Sequence, residues 1–380
     1  MKIAMFYHSL ISDWNHGNAH FLRGMASELL SRGADVCVYE PFSSWSLKNL
    51  LKYHGKKQVV DFYNFYPRLT SRRYFEHNID LEKELEGADL IIAHEWNSHE
   101  IIKKLGEYRQ SHPDVRLLFH DTHHRSVTDK EAMVQYDLSN YDGVLAYGEV
   151  LREIYLKEAW AQKAWTWHEA ADVRIFRPIE KVEKAGDLIW IGNWGDGERT
   201  EEINNFLIKP SKNLKLKTRI YGVRYPDDAQ KILLKAGIEY CGWLSNYRVP
   251  LAFAQFKVTV HIPRRPYVEA LPGIPTIRPF EAMACGIPLV SAPWEDTENL
   301  FTPGEDYLVA HNTREMEDCI SFLLDDPEAA EIMTLKARKT ISDRHTCAHR
   351  ADELMRICSD LGIDENKLLF SESAIAAEKI

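Results

Sequence analysis

Short runs rich in Val, Ile, Leu, Phe and Tyr alternate with amphipathic stretches along the first half of this chain. They begin as KIAMFYH at Lys2, DVCVYE at Asp35, DLIIAHEW at Asp89, RLLFHDT at Arg116, GVLAYGE at Gly143 and TWHEA at Thr166. Near-continuous hydrophobicity in so short a run means burial on both faces, as in a parallel sheet covered by helices. The first helix is legible between two of the runs. Asn18 can cap it, Leu22, Met25 and Leu29 recur at helical spacing, and Gly33 ends it. Strand, turn, helix and strand in this order make a βαβ unit.

The pattern then restarts. After a polar, Pro-containing linker from Arg177 to Asp187 come DLIWIGN at Asp187, TRIYGV at Thr218, IEYCGWL at Ile238, KVTVHIP at Lys257, PLVSAP at Pro288 and DYLVAHN at Asp306. Two doubly wound α/β domains in succession are predicted, at 1–178 and 179–345. From about Thr313 the pattern is helical. Asn312 with Glu315 fits a capping box, Pro327 suits a first helical turn, and Thr346 opens a further helix. That helix begins a tail at 346–380 that could cross back to the first domain. The segment from Phe42 to Gly87 breaks the alternation and carries the aromatics Trp45, Tyr53, Phe62, Tyr63, Phe65, Tyr66, Tyr74 and Phe75. They are expected to pack this insertion onto its own domain; cover for an acceptor is the alternative. Trp160, Trp165 and Trp167 are expected to pack between domains rather than to stack on a ligand.

Composition narrows the function classes. Among 380 residues, 47 Lys and Arg face 57 Asp and Glu, a net charge of −10, which disfavours binding to nucleic acid through a basic surface. The start of the chain, interrupted by His8, Asp13 and His16, predicts neither a signal peptide nor a membrane span, and no other stretch is apolar for long enough. The six cysteines are scattered without a CxxC pair, as expected of free thiols in a cytoplasmic protein. GNWGDG lacks the dinucleotide spacing, and neither a Walker lysine motif nor G-x-S-x-G occurs.

The clearest chemical signal is TIRPFEAMACGIPLV, from Thr276 to Val290. Pro279 suits a helix start, while Gly286 and Pro288 suit its end. The PGIP turn before it would deliver the backbone N–H groups of Thr276, Ile277 and Arg278 to a helix N-terminus, an anion cradle fit for a pyrophosphate. Glu281, one turn in, could accept hydrogen bonds from vicinal ribose hydroxyls; an ordinary capped helix is the alternative. In the first domain, RLLFHDTHHR puts His120 and Asp121 at the carboxyl end of a strand, the edge where open α/β sheets bind ligands. His16 and Gly17 lie in the first strand-to-helix turn. The HDTHH run offers no standard metal-ligand spacing.

The 276–290 stretch resembles the signature of retaining GT-B glycosyltransferases, group 1 and family-4-like, with wording closest to a CgeB-type branch. Three other stretches resemble the same superfamily in the same order: HEAADVRIFRP (168–178), IGNWGDGER (191–199) and YCGWLSNYRVPLAFAQFKVTVHIP (240–263). The resemblance implies two Rossmann-like domains facing a cleft, a nucleotide-diphosphate sugar as co-substrate, no other cofactor and no metal. It implies that Arg199, with the backbone of Gly192 and Asn193, faces the donor phosphates. Thr276, Ile277 and Arg278 would cradle the diphosphate, Glu281 would hold the ribose, and Trp243 and Leu244 would frame the base. His120 would orient the donor sugar and Asp121 would take the acceptor's proton. His16 and Gly17 would lie on the acceptor side.

The chain departs from the family pattern at two points. Gly273 stands where the first Glu of Glu-x7-Glu is expected, with Glu269 at the wrong spacing. Asn204 and Asn205 stand where a Lys would follow Arg199, leaving Arg264, Arg265 or Arg278 to supply a second cation. The expected activity is transfer of a hexose, with retention, to an unidentified glycan, small-molecule or protein acceptor. The alternatives are a nucleotide-sugar epimerase of the same fold and a non-catalytic nucleotide-sugar-binding protein.

Overall fold

The computed structural model describes residues 1–368. The last residues of the tail anticipated at 346–380, 369–380, lie outside the described residues. The chain divides into two compact units, one of Met1–His168 with the segment from Cys347, the other of Glu169–Thr346.

The first unit holds a seven-stranded sheet of β1 (Lys2–Phe6), β2 (Asp35–Pro41), β3 (Ser71–Tyr74), β4 (Leu90–His94), β5 (Arg116–Asp121), β6 (Gly143–Ala146) and β7 (Ala164–Thr166), in the order β3-β2-β1-β4-β5-β6-β7. Every pairing is parallel. Ile3, Met5, Phe6, Leu90, Ile91, Ile92, Leu117, Leu118 and Phe119 are fully buried, as runs without alternation require. The second unit repeats the scheme with β8 (Leu188–Ile191), β9 (Thr218–Tyr221), β10 (Glu239–Tyr240), β11 (Val258–His261), β12 (Leu289–Ser291) and β13 (Leu308–Val309). Its order is β10-β9-β8-β11-β12-β13, again all parallel. Each unit therefore has a switch point where the order reverses, between β1 and β4 in the first and between β8 and β11 in the second.

The first helix runs Ala19–Ser31 and closes through Gly33 at φ 90°. Asn18 occupies its N-cap position with helical φ −65° and ψ −11°, so its side chain makes no capping bond. Capping needs an extended backbone there. Here the chain instead turns through Ala19 N–H to His16 O and His20 N–H to Gly17 O. The Phe42–Gly87 insertion forms helices Trp45–His54 and Lys57–Phe65 and supplies β3 at the sheet edge. The helix Cys347–Asp360 packs against Ala19–Ser31. Trp167, fully buried, donates its indole N–H to Arg350 O and sits edge-on to Phe21. Its packing is thus internal to the first unit. In the second unit Asn312 caps Thr313–Asp325 by accepting from Glu315 N–H, and Glu315 accepts from His311 N–H, completing the box one residue early. Pro327 opens Pro327–Arg344. Among the described residues no helix is long and apolar enough to cross a membrane.

Candidate functional site

The carboxyl ends of β8, β9 and β10 are drawn together by glycine. A Cβ on Gly222 would stand 2.0 Å from the Gly192 carbonyl oxygen, so only glycine lets these strand ends close. Gly222 N–H donates to Gly242 O, Gly192 N–H to Tyr221 O, and the Tyr225 hydroxyl to Gly192 O. The loop leaving β8 then rises through Gly195, at φ 91°, to Arg199. A Cβ on Gly195 would lie 2.5 Å from Arg199 Cγ, so this glycine makes room for the arginine side chain.

Arg199 bridges the two loops of the second switch point. One guanidinium nitrogen donates to Asn193 O after β8, the other to Ile262 O after β11. The guanidinium lies 5.2 Å from the Trp190 ring centroid, and Nε is buried with no partner. Among the described residues no carboxylate pairs with Arg199. Burial, with Arg264 and Arg278 as like-charged neighbours, pushes it down to about 9. Three positive groups thus converge. Arg264 is bonded to Glu198 and Arg278 to Glu281. Arg265 instead turns to Glu202, at 2.8 Å. Of the three candidates for a second cation, Arg264 and Arg278 therefore lie close enough to act on Arg199.

The loop before Ile277–Cys285 completes the arrangement. Thr276, its N-cap residue, has φ 59° and ψ −175°, a conformation taken readily only by glycine, and its side chain makes no capping bond. A strain of about 1–3 kcal/mol at such a position persists only where the surroundings over-determine it. The helix start therefore presents the backbone N–H groups of Ile277 and Arg278 without a side-chain cap. His261, at the end of β11, joins Ser291 Oγ at 2.9 Å and the Pro275 backbone, tying the strand to this loop. Burial first, then Arg199 and Arg278, push its imidazole down to about 3. The helix ends at Gly286, in left-handed conformation.

Glu281 is fully buried and accepts from Arg278 and, at 2.7 Å, from Asn246 Nδ2. A carboxylate has about four lone-pair sites, so these two bonds alone do not saturate it. Asn246 follows half-buried Trp243 and Leu244 after β10, so one hydrogen bond joins the loop expected to frame a base to the acid expected to hold a ribose. Sequence reasoning missed Asn246: thirty-five residues separate it from Glu281, and no motif marks the pair. It also missed Glu298. A Cβ on Gly273, at φ 88°, would lie 3.0 Å from Glu298 Oε1, so a carboxylate from elsewhere in the chain stands beside the glycine that replaces the expected acid. The expected lysine is replaced by a π-helical turn, Asn204–Ile208.

In the first unit, His120 and Asp121 end β5 and neither has exposed surface. His120 Nδ1 and the Tyr7 hydroxyl lie 2.7 Å apart, and Nε2 is buried without a partner. Burial pushes the imidazole down to about 3. Asp121 accepts from the Tyr155 hydroxyl at 2.8 Å and from His123 N–H at 3.0 Å, yet burial raises it to about 7. The side chains of HDTHH diverge: His123 meets Trp96 edge-on, and His124 Nδ1 joins Thr128. His16 is buried beside His8, whereas Gly17 is exposed and does not adopt a positive φ.

Residues 199–356 match a family model described as "Glycosyl transferase-like". Solved structures match nearly the whole chain. Sucrose-phosphate synthase (tll1590) from Thermosynechococcus elongatus superposes with TM-score 0.66 at 13% identity, over 95% of this chain and 99% of that one. Anabaena Alr3699/HepE, in complex with UDP and glucose, gives 0.65 at 14%, over 95% and 100%. T4 phage BGT, in complex with its UDP-glucose substrate, gives 0.60 at 14%, over 96% and 100%. The fold is GT-B. At these identities the likeness is one of fold. No curated protein matches the chain in sequence.

Proposed function

We propose that this chain is a glycosyltransferase that moves a sugar from a nucleoside-diphosphate sugar to an acceptor, with retention of anomeric configuration. The observation that carries the reading is the charge state of Arg199: a guanidinium without a carboxylate partner, facing two further arginines and an uncapped helix start. Glu198 and Glu281 match Arg264 and Arg278, so the excess is the buried charge of Arg199 with the helix start; it costs free energy in the empty protein and is relieved by an anion. A diphosphate fits it. Arg199 and Arg278, the backbone N–H groups of Asn193, Thr276 and Ile277, and the helix dipole would stabilise the leaving diphosphate in place of a metal, while Gly192, whose N–H is held by Tyr221 O, would shape the loop. Glu281 would accept from the ribose, and Trp243 and Leu244 would flank the base.

His120 keeps Nε2 for the donor sugar. Asp121 accepts one bond on each oxygen, from Tyr155 and His123, and keeps lone pairs; raised to about 7, it would take the acceptor's proton, with a donor phosphate oxygen as the alternative base. His16 faces the acceptor, and Gly17 shapes its turn. Two structural neighbours carry UDP, which makes UDP-sugars the first donors to try.

A thermal-shift series with UDP-, GDP-, ADP- and dTDP-sugars tests donor binding, since bound ligand raises the midpoint by mass action. Turnover in chelator, and the anomeric configuration of the product by NMR, test the rest. A donor that binds in none of these forms sinks the reading. Product formed without acceptor favours an epimerase. Tight binding without turnover favours a non-catalytic binder, the reading that Gly273 in place of an acid supports.

A further inference from the structure

The first switch point carries a different kind of chemistry. The loop after β1 supplies His8, Trp14 and His16; the loop after β4 supplies Trp96; and Trp45 arrives on the first insertion helix. Their rings converge: His8 lies 5.1 Å from Trp45, 6.0 Å from Trp96 and 5.6 Å from His16, while Trp45 lies 6.1 Å from Trp96 and 5.9 Å from Trp14. Trp167 shows what a core tryptophan of this unit looks like, with no exposed surface. Trp14, Trp45 and Trp96 are only half-buried, so parts of their rings remain available.

The polar atoms around them are neutral. Ser46 N–H donates to His8 Nε2, which leaves the His8 proton on Nδ1 as a donor. Burial pushes that imidazole down to about 4. His16, 7% exposed, is held well below its usual range by burial, His8 and Arg23, while the Ser9 backbone bonds its other nitrogen. Its Nε2 is buried without a partner. Two arginines beside the rings are matched by acids: Arg125, which lies over Trp96, pairs with Glu95, and Arg23 pairs with Asp13 at 2.7 Å, while Lys52 lies at the rim over Tyr53. The two arginines beside the rings thus offer an anionic ligand no unmatched charge, and an aliphatic ligand would leave His16 Nε2 unsatisfied.

A sugar meets both requirements, because the C–H face of a pyranose packs on an aromatic ring while its hydroxyls both donate and accept. We infer that the β1 and β4 loops form a binding site for a neutral carbohydrate, with Trp45 and Trp96 stacking on a sugar face and His8 and His16 bonding its hydroxyls. That this sugar is the acceptor rests on the transfer reading above.

The test applies the full chain to a glycan array of neutral and acidic oligosaccharides. Hits are titrated by tryptophan fluorescence and saturation-transfer NMR, and UDP binding is followed in the same samples by thermal shift. Neutral oligosaccharides should bind, with an affinity flat between about pH 6 and 8 because both imidazoles stay neutral. Trp45→Ala and Trp96→Ala should each weaken binding about tenfold, Trp96→Phe less, with the UDP shift unchanged. If the tryptophan variants do not fold, His16→Ala carries the test with a several-fold loss. Binding confined to acidic glycans, no glycan binding, or variants that bind like the parent overturns the inference. A parent that binds the sugar but no nucleotide overturns the donor reading instead.

Discussion

The two sheets share a strand order, yet their switch points hold opposite electrostatics. In the second unit Arg199 has no carboxylate partner and lies near Arg264 and Arg278, each bonded to an acid, and near a helix start without a side-chain cap, so that one unmatched positive charge awaits an anion. In the first, buried imidazoles at His8, His16, His94 and His120 are all driven toward neutrality, and the arginines nearby are matched by acids. The topology fixes where a ligand can sit; the loop residues fix which chemistry it must have. A diphosphate is read by charge, a hydroxylated ligand by neutral donors and acceptors.

Removing the charge should have the largest effect. Arg199→Ala is expected to lower donor kcat/KM by about 10²–10³, the usual cost of losing one donor to a developing anion. Arg199→Lys should recover only part of this, because a single ammonium cannot hold the Asn193 and Ile262 carbonyls and also face a phosphate. Wild-type turnover in Arg199→Ala would remove the second switch point from the chemistry. The next effect should come from displacing the same arginine without touching it. Gly195→Ala places a methyl 2.5 Å from Arg199 Cγ at a φ of 91°, and a loss of roughly tenfold to a hundredfold in donor kcat/KM is expected. A crystal structure of that variant with Arg199 unmoved would show that the glycine serves only the turn.

The sequence reveals this contrast only in part, for identifiable reasons. The strands were legible because both faces are buried, so each run is apolar without a competing period; only TWHEA is displaced, since β7 is Ala164–Thr166 and the run continues beyond it. The glycines and Arg199 were legible because they lie in one short loop. The strain at Thr276 was not, because threonine does not advertise a positive φ as glycine does. Nor was the Asn246–Glu281 bond, which long-range folding alone brings together. The capping role read for Asn18 failed because the preceding turn enters the helix already in helical conformation. The insertion's aromatics are expected to pack it onto its own domain; Phe62, fully enclosed under Arg23, and Trp45, against His8 and Trp96, both do so, but the sequence does not show that Trp45 joins a cluster of rings at the switch point.

Acid should separate the two units. A histidine whose folded pKa is depressed contributes stability that is complete above its unfolded value of about 6.5 and is lost as pH falls toward the folded one. His8 at about 4, His120 at about 3, and His16 and His94 well below normal all act this way in the first unit. Each costs up to ~1.4 kcal/mol for every pH unit below about 6.5. Asp121, raised to about 7, has the opposite sign: its contribution is present below its unfolded value and lost as pH rises through 7. One carboxylate does not offset four imidazoles. In the second unit His261, at about 3, carries the corresponding burden. Hydrogen exchange at pH 5 should therefore show β1 and β5 losing protection relative to pH 7 more than β8 and β11 do. Equal loss in both sheets would mean that the histidines are not held neutral.

The smallest expected effect is the most discriminating about geometry. Arg264 and Arg265 are adjacent in sequence, and both are bonded to acids on the segment around Arg199. Arg264 acts on Arg199 electrostatically and is linked to Glu198, one residue away; Arg265 reaches Glu202 on the far side and does not figure among the groups that shift Arg199. Arg264→Ala should therefore raise the donor KM several-fold and reduce its salt dependence, because one of three converging charges is gone. Arg265→Ala removes an exposed pair of the kind that contributes little, and a change in donor KM below about twofold is expected. If Arg265→Ala proves the more damaging of the two, the positive field is centred on the Glu202 side, and the diphosphate must be placed there rather than between Arg199, Arg264 and Arg278.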